Sequence, residues 1–262
     1  MKVLAIESSC DDTSIAIVND NKTVEFLETI NHRKFHKDLG GVIPEMAARQ
    51  HLEILDILGK SIKKINFSKI SAIAATFGPG LIGGLIVGSS FAKGLSISKN
   101  VKLVPINHLQ AHLLSPRLVS EIKFPYLCLL VSGGNTALVL VKNSKSFITL
   151  GSTIDDSAGE CFDKVAKGLG LGYPGGPEIE HLALGGNIEK FKLPMPLTKK
   201  NNCDFSFSGL KTAALNTIKN NKKTKLFLRD FSASFQHTVS KVLEIKILNS
   251  CLLYTSDAAD DP

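Results

Sequence analysis

Two histidines four residues apart, His108 and His112, stand in Asn107-His108-Leu109-Gln110-Ala111-His112, a segment that reads as the start of a helix. On a helix such residues share a face one turn apart, so both imidazoles can reach one metal ion. The same spacing also arises when one histidine caps or is buried and the other is exposed. Leu109 stands where a zinc metalloprotease of the HExxH type needs its glutamate, so the general base of that chemistry is missing.

Two turns offer chemistry that their neighbours lack. Glu7-Ser8-Ser9-Cys10-Asp11-Asp12-Thr13 is acidic, and Asp11 and Asp12 can hold a cation or orient a polar substrate, although an acidic turn is also simply well solvated. Ser132-Gly133-Gly134 has no bulky side chain, so its backbone N–H groups can form an anion-binding nest; a tight hairpin would want the same glycines.

The elements that must position these residues follow a repeated plan. Val3–Ile6 and Ser14–Val18 are apolar strands flanking the acidic turn, and Leu127–Val131 and Ala137–Val141 flank the glycine turn. Two continuously apolar hairpins predict two related α/β halves with a cleft between them. Between them Pro44–Leu52, continued by Ile54, Leu55, Ile57, Leu58 and Ile62, has helical spacing. Met46 is expected in the core there, and His32, His36 and His51 at the surface or facing a partner, since none has ligand spacing to an acid or cysteine.

Ile70–Thr76 leads into the glycine-rich Phe77–Gly84 and a helix ending near Ser96. Its N-terminus can face an anion, or its glycines can serve close packing; it lacks the order of a P-loop. Val101–Ile106 is a strand that delivers Asn107 and His108 to the next helix, where open α/β sheets place ligands. Ser157 or Asp156 can cap the helix that carries Glu160, Asp163 and Lys164, with Glu160 and Lys164 spaced as a surface pair. Gly168–Pro177, with five glycines and two prolines, is too punctuated for a regular element. A helix runs from Asp204–Thr212 through Ile218, and a final amphipathic one from Phe231 to Leu248.

The 262 residues suffice for one large or two closely associated domains. The longest apolar run, Leu81–Ala92, is too short and glycine-rich to span a bilayer, and no charged leader precedes an apolar signal segment, so no membrane association is expected. Five cysteines with no CxxC pair point to a reducing cytoplasm. The net charge is +7, and between Lys190 and Arg229 ten Lys/Arg face one acid, Asp204. That basic stretch is either a solvated lysine face or a phosphate-backbone contact with RNA.

Six segments in one order are together highly specific: AIESSCDDTSIAI from Ala5, GPGLIGGLIVG from Gly78, NHLQAHLLSPRL from Asn107, LLVSGGNT from Leu129, IDDSAGECFDKVAKGLGLGYPGGP from Ile154 and DFSFSGLKTA from Asp204. On these the chain resembles the TsaD family of tRNA threonylcarbamoyladenosine transferases, formerly called O-sialoglycoprotein endopeptidases. The resemblance implies an actin/hexokinase/Hsp70-like α/β fold of duplicated ribonuclease H-like halves around a central cleft, with residues 1–107 as the first half and 108–250 as an incomplete second half. It implies transfer of a threonylcarbamoyl group from threonylcarbamoyl-AMP to the N6 amine of the adenosine beside the anticodon in tRNAs reading ANN codons, in the cytoplasm, with TsaB and TsaE as partner proteins. It implies one divalent metal, Fe(II) or alternatively Zn(II), on His108 and His112 with a downstream aspartate as third ligand. Leu130, Val131, Ser132, Gly133 and Gly134 match the phosphate and substrate loop, Asp163 the acid that binds the ribose hydroxyls, and Gly176 the same nucleoside site, while Asp11 and Asp12 match the acidic turn implicated in activity.

Some features depart from the pattern. Asn135 stands where many members have histidine, and Gln110-Ala111 replaces Glu-Gly. The late Gly-Gly loop and the third metal ligand fall beyond the matching segments, and the acidic Cys251–Pro262 resembles no family segment, as a foreign tail would. A non-catalytic scaffold of the same superfold is the alternative; a small-molecule kinase has no need of the histidine pair.

Overall fold

A computed structural model describes residues 1–32, 42–62 and 65–257, with side chains through Leu252. His36 and residues 258–262 of the tail lie outside the described residues. Contacts divide the chain into two compact units, Met1–Ile122 and Lys123 onward.

The first unit is built on a five-stranded sheet in the order β3-β2-β1-β4-β5, formed by β1 (Lys2–Glu7), β2 (Asp12–Asn19), β3 (Val24–Asn31), β4 (Ala72–Gly78) and β5 (Lys102–Asn107). β1 pairs antiparallel with β2 and parallel with β4, so one edge of the sheet is a meander and the other is wound through a helix. This is the ribonuclease H-like arrangement expected of an actin/hexokinase/Hsp70-like half. Strand β3 has no counterpart among the strands expected from sequence: it is an edge strand whose Leu27 and Val24 face solvent, so no apolar run marks it.

Helix α1 (Pro44–Ile62) starts on a proline, carries Glu45 in its first turn and buries Ala47, Gln50, His51, Ile54, Leu55, Leu58 and Ile62 at spacings of three and four. Met46 lies off that stripe and is exposed rather than in the core. His51 lies on it and is fully buried; His32, at the end of β3, is fully buried too, so neither is a surface residue. What defeats the expectation is hydrogen bonding: each imidazole finds Thr13 Oγ1 inside, which lowers the cost of burial.

Helix α2 (Ile82–Lys99) turns a stripe of Gly84, Leu85, Gly88 and Ala92 inward and ends on Asn100 in the left-handed region. A Cβ at Gly84 would lie 2.3 Å from the Ser8 carbonyl oxygen and one at Gly88 1.9 Å from Ser8 Oγ. The glycine-rich segment therefore serves close packing of α2 on the β1–β2 turn. Helix α3 (His108–Leu114) and the short α4 (Pro116–Val119) complete the unit. Helix α3 packs on β4 and β5 within this unit, which runs through Ile122.

The second unit has a three-stranded antiparallel sheet of β6 (Tyr126–Val131), β7 (Thr136–Asn143) and β8 (Ser146–Ser152). Its helices are α5 (Ala158–Leu169), α6 (Gly175–Ala183), α7 (Ser208–Lys219) and α8 (Lys225–Asp257). Phe205, Phe207, Phe231 and Phe235 are all fully buried among Cys161, Val165 and Ile179, and each such side chain contributes about 1.5–3 kcal/mol of transfer free energy. α8 begins at Lys225 and not at Phe231, because Phe227 already joins this core. The buried Lys246 donates to the carbonyls of Leu197 and Asn202 at 2.8 and 2.9 Å, tying the loop between α6 and α7 to α8.

Candidate active site

In the first unit Asn107 ends β5, and its Oδ1 accepts the Gln110 N–H at 3.0 Å, capping α3 so that His108 is its first residue. One turn on, His112 brings its Nε2 to 3.2 Å from His108 Nε2. Two nitrogens bound at about 2.1 Å to one tetrahedral or octahedral metal stand roughly 3.0–3.4 Å apart, so the pair fits a shared ion. His108 Nδ1 lies 3.2 Å from Glu7 Oε2 and 3.1 Å from Ser9 Oγ. A carboxylate only accepts, so Nδ1 carries a proton, and in the neutral ring it is the Nε2 lone pair that faces His112. His112 is held below its ordinary pKa by burial and by the neighbouring His108, which keeps its ring neutral and able to ligate. Among the described residues no third His, Cys, Asp or Glu gathers with these two to complete a metal group.

Glu7 carries no sequence signal of a site residue beyond its place at the head of the acidic turn; its partner His108 is 101 residues away. Burial alone would raise its pKa, but hydrogen bonds from His108, Ser9 and Thr76 outweigh that and lower it to about 2, so it stays an anion. It is the last residue of β1, and the Ser9 N–H donates to its Oε1 at 2.6 Å.

Asp11 and Asp12 sit on the same turn as Ser9. Asp12 Oδ1 accepts from Asn31 Nδ2 at 2.6 Å, which ties the carboxylate to the end of β3. Cys10 is held as a thiol, its pKa pushed up to about 12 by desolvation and by Asp11, Asp12 and Glu7, so no thiolate nucleophile exists here.

In the second unit Leu130 and Val131 end β6, and Ser132–Asn135 forms the turn into β7, closed by Ser132 N–H donating to the Asn135 carbonyl at 2.8 Å. A Cβ at Gly133 or Gly134 would meet nothing within 4 Å, so the loop presents open backbone. Ser157 caps α5 and links it to this loop: its Oγ accepts the Glu160 N–H at 3.1 Å and donates to the Gly133 carbonyl at 2.6 Å. The loop amides and the start of α5 therefore stand together, an arrangement suited to an anion. Farther along α5, Asp163 Oδ1 accepts the Gly175 N–H at 2.7 Å, joining α5 to the start of α6. Gly176 follows with open space where a Cβ would be. Glu160 and Lys164 form the expected surface pair, at 2.5 Å. The first unit thus gathers His108 and His112 with the turn of Asp11 and Asp12, and the second gathers Ser132–Gly134, Asp163 and Gly176.

Known proteins resemble this chain along most of its length. The family described as tRNA N6-adenosine threonylcarbamoyltransferase, TsaD, matches residues 24–258. A protein of that name from Wolbachia pipientis wMel is 48% identical over 257 residues, covering 97% of this chain and 76% of its own length. One from Rickettsia typhi is 49% identical over 259 residues, covering 97% of this chain and 66% of its own. Among solved structures, component A of the Acidaminococcus fermentans (R)-2-hydroxyglutaryl-CoA dehydratase superposes with a TM-score of 0.50 at 14% identity, over 94% of this chain and 77% of that one, a likeness of fold alone.

Proposed function

Since the chain belongs to the tRNA N6-adenosine threonylcarbamoyltransferase family, we propose that it transfers a threonylcarbamoyl group from threonylcarbamoyl-AMP to the N6 amine of the adenosine beside the anticodon in tRNAs reading ANN codons. The observation that carries the site assignment is the approach of two imidazole nitrogens to 3.2 Å, with the far nitrogen of one ring held by Glu7 and Ser9.

In this reaction the amine nitrogen bonds to the carbamoyl carbon, the bond from that carbon to the phosphate oxygen breaks, and AMP leaves as the amine gives up a proton. The amine is neutral and a poor nucleophile, so the barrier falls mainly by stabilising charge on the carbonyl oxygen and on the departing phosphate. A divalent ion held by His108 and His112, Fe(II) or alternatively Zn(II), supplies Lewis acidity for the carbonyl when bound. Glu7 fixes the tautomer of His108 and adds a negative charge behind it. Within the second unit, the amides of Ser132–Gly134 and the start of α5 are suited to a phosphate and Asp163 and Gly176 to a nucleoside; within the first, a carboxylate of the Asp11–Asp12 turn is suited to take the amine's proton. The exposed lysines between Lys190 and Lys225 carry the tRNA backbone, TsaB and TsaE are the partner proteins, and the reaction belongs to the cytoplasm. Among the described residues no helix is long and apolar enough to cross a membrane.

The test is transfer to an unmodified tRNA transcript by the purified chain with its partner proteins, read by mass spectrometry of the digested nucleosides. Threonylcarbamoyladenosine should appear with the wild type and fall by at least about a hundredfold in His108→Ala and His112→Ala. Full product in either variant removes the histidine pair from the mechanism.

A further inference from the structure

We propose that His51 is a positioning residue: from α1 it holds, through a directed chain of hydrogen bonds, the β1–β2 turn that carries Ser9 to His108. The consequence for turnover rests on the reading of His108 and His112 given above.

Three consecutive carbonyls of that turn are each held by a different element. The Ser9 carbonyl accepts the Leu81 N–H at 2.7 Å, the Asp11 carbonyl accepts the His32 N–H at 3.0 Å, and the Cys10 carbonyl stands 3.1 Å from His51 Nε2. His51 is the one side chain among the three donors. A carbonyl only accepts, so His51 Nε2 must carry a proton. Burial holds the pKa of His51 below its ordinary value, outweighing the Cys10 carbonyl and the carboxylates of Glu7, Asp11 and Asp12, so the ring is neutral and Nδ1 is a bare acceptor.

The rest of the chain follows from that one assignment. Thr13 Oγ1 lies 2.7 Å from His51 Nδ1 and must donate to it. Its single proton is then committed, so toward His32 Nε2, 2.9 Å away, Thr13 can only accept, and His32 is the donor. Protons therefore run from His32 to Thr13 to His51 to the Cys10 carbonyl without an alternative in the neutral state. The fold makes room for this: a Cβ at Gly84 would lie 2.9 Å from His51 Cδ2 and Nε2. Both imidazoles and the threonine are fully buried, so none can touch substrate or metal, and their polar atoms act on the site only through the turn.

The experiment pairs tRNA threonylcarbamoylation by His51→Leu, His51→Gln and Thr13→Val with ring 15N spectra of the histidine-labelled full chain at about pH 7. Wild-type His51 should show the neutral Nε2–H tautomer, and His32 should carry a proton on Nε2. His51→Leu should lower kcat about tenfold or more with KM for tRNA within about twofold, and His51→Gln, whose amide N–H can return to the Cys10 carbonyl, should recover most of it. A folded His51→Leu with wild-type kcat, or a wild-type His51 protonated on Nδ1, overturns the proposal. Should His51→Leu fail to fold, Thr13→Val, which removes one hydroxyl at nearly constant shape, decides: a lower kcat with an altered His51 tautomer supports it, and no change in either overturns it. If the wild-type chain transfers nothing to tRNA, the functional reading fails on its own. The ring nitrogens of His108 then decide, shifting in Thr13→Val if the turn is held this way and staying put if it is not.

Discussion

At His108 one ring serves three neighbours, and each nitrogen has its own task. Nδ1 is claimed by Glu7 and Ser9, so Nε2 is left to face His112. Glu7→Gln keeps the shape of this contact but removes the charge and offers Nδ1 a weaker acceptor. We expect Zn(II) affinity to fall about 10–100-fold, measured by competition with a chromophoric chelator, while the fold is retained. Unchanged affinity would mean that Glu7 only packs. The histidine pair was legible from spacing alone, whereas the cap at Asn107 appeared only in the folded chain. Glu7 was not legible either, because nothing in a local window links it to a ring a hundred residues on. His32 and His51 misled for the same reason: an imidazole is polar in a sequence and apolar enough for a core once Thr13 satisfies it.

Among the elements, the glycine-rich start of α2 shows how one sequence pattern serves two physical ends. Its glycines suited an anion site or close packing, and the close approach to Ser8 and His51 decides for packing. Gly84→Ala should therefore push α2 off the turn and destabilise the first unit by about 1–3 kcal/mol or more, read as a lower urea midpoint with unchanged slope. A wild-type midpoint would mean that the helix shifts freely. In the second unit Asp155 organises the start of α7, accepting the N–H of Phe207 at 2.7 Å and the hydroxyls of Ser206 and Ser208 at 2.5 and 2.8 Å. Burial works to raise its pKa, and these donors outweigh it and hold the carboxyl below its ordinary value. A depressed folded pKa stabilises the fold above the unfolded value of about 3.9 and loses that effect as pH falls through the lower folded value. Asp155→Ala should lower the urea midpoint near neutral pH, with the difference from wild type vanishing in acid; a difference independent of pH would assign the loss to packing. β3 was beyond the reach of pattern reading, since an edge strand with exposed Leu27 carries no strong alternation.

For the molecule as a whole, the charge distribution makes the remaining prediction. Lys190, Lys192, Lys199, Lys200, Lys219 and Lys222 are all exposed, whereas Lys211 within the same stretch is engaged by Asp156. If the exposed lysines carry tRNA phosphates, log affinity falls linearly with log salt, and Lys199→Glu with Lys200→Glu should reduce that slope by about 0.7–0.9 for each phosphate that is no longer neutralised. A slope untouched by the double variant places the tRNA elsewhere. The sequence by itself determined the family, the α/β class, the spacing of the histidine pair and the glycine turn between β6 and β7, because these rest on residue types at short spacing, where chain geometry is nearly rigid. Only the tertiary structure decided what holds them: Glu7 behind His108, the buried His32–Thr13–His51 chain under the acidic turn, Ser157 tying α5 to the glycine turn, and Lys246 clasping its loop. Each joins residues far apart in the chain through a polar group whose burial is tolerable only where a partner awaits it, and that partner exists only once the chain has folded.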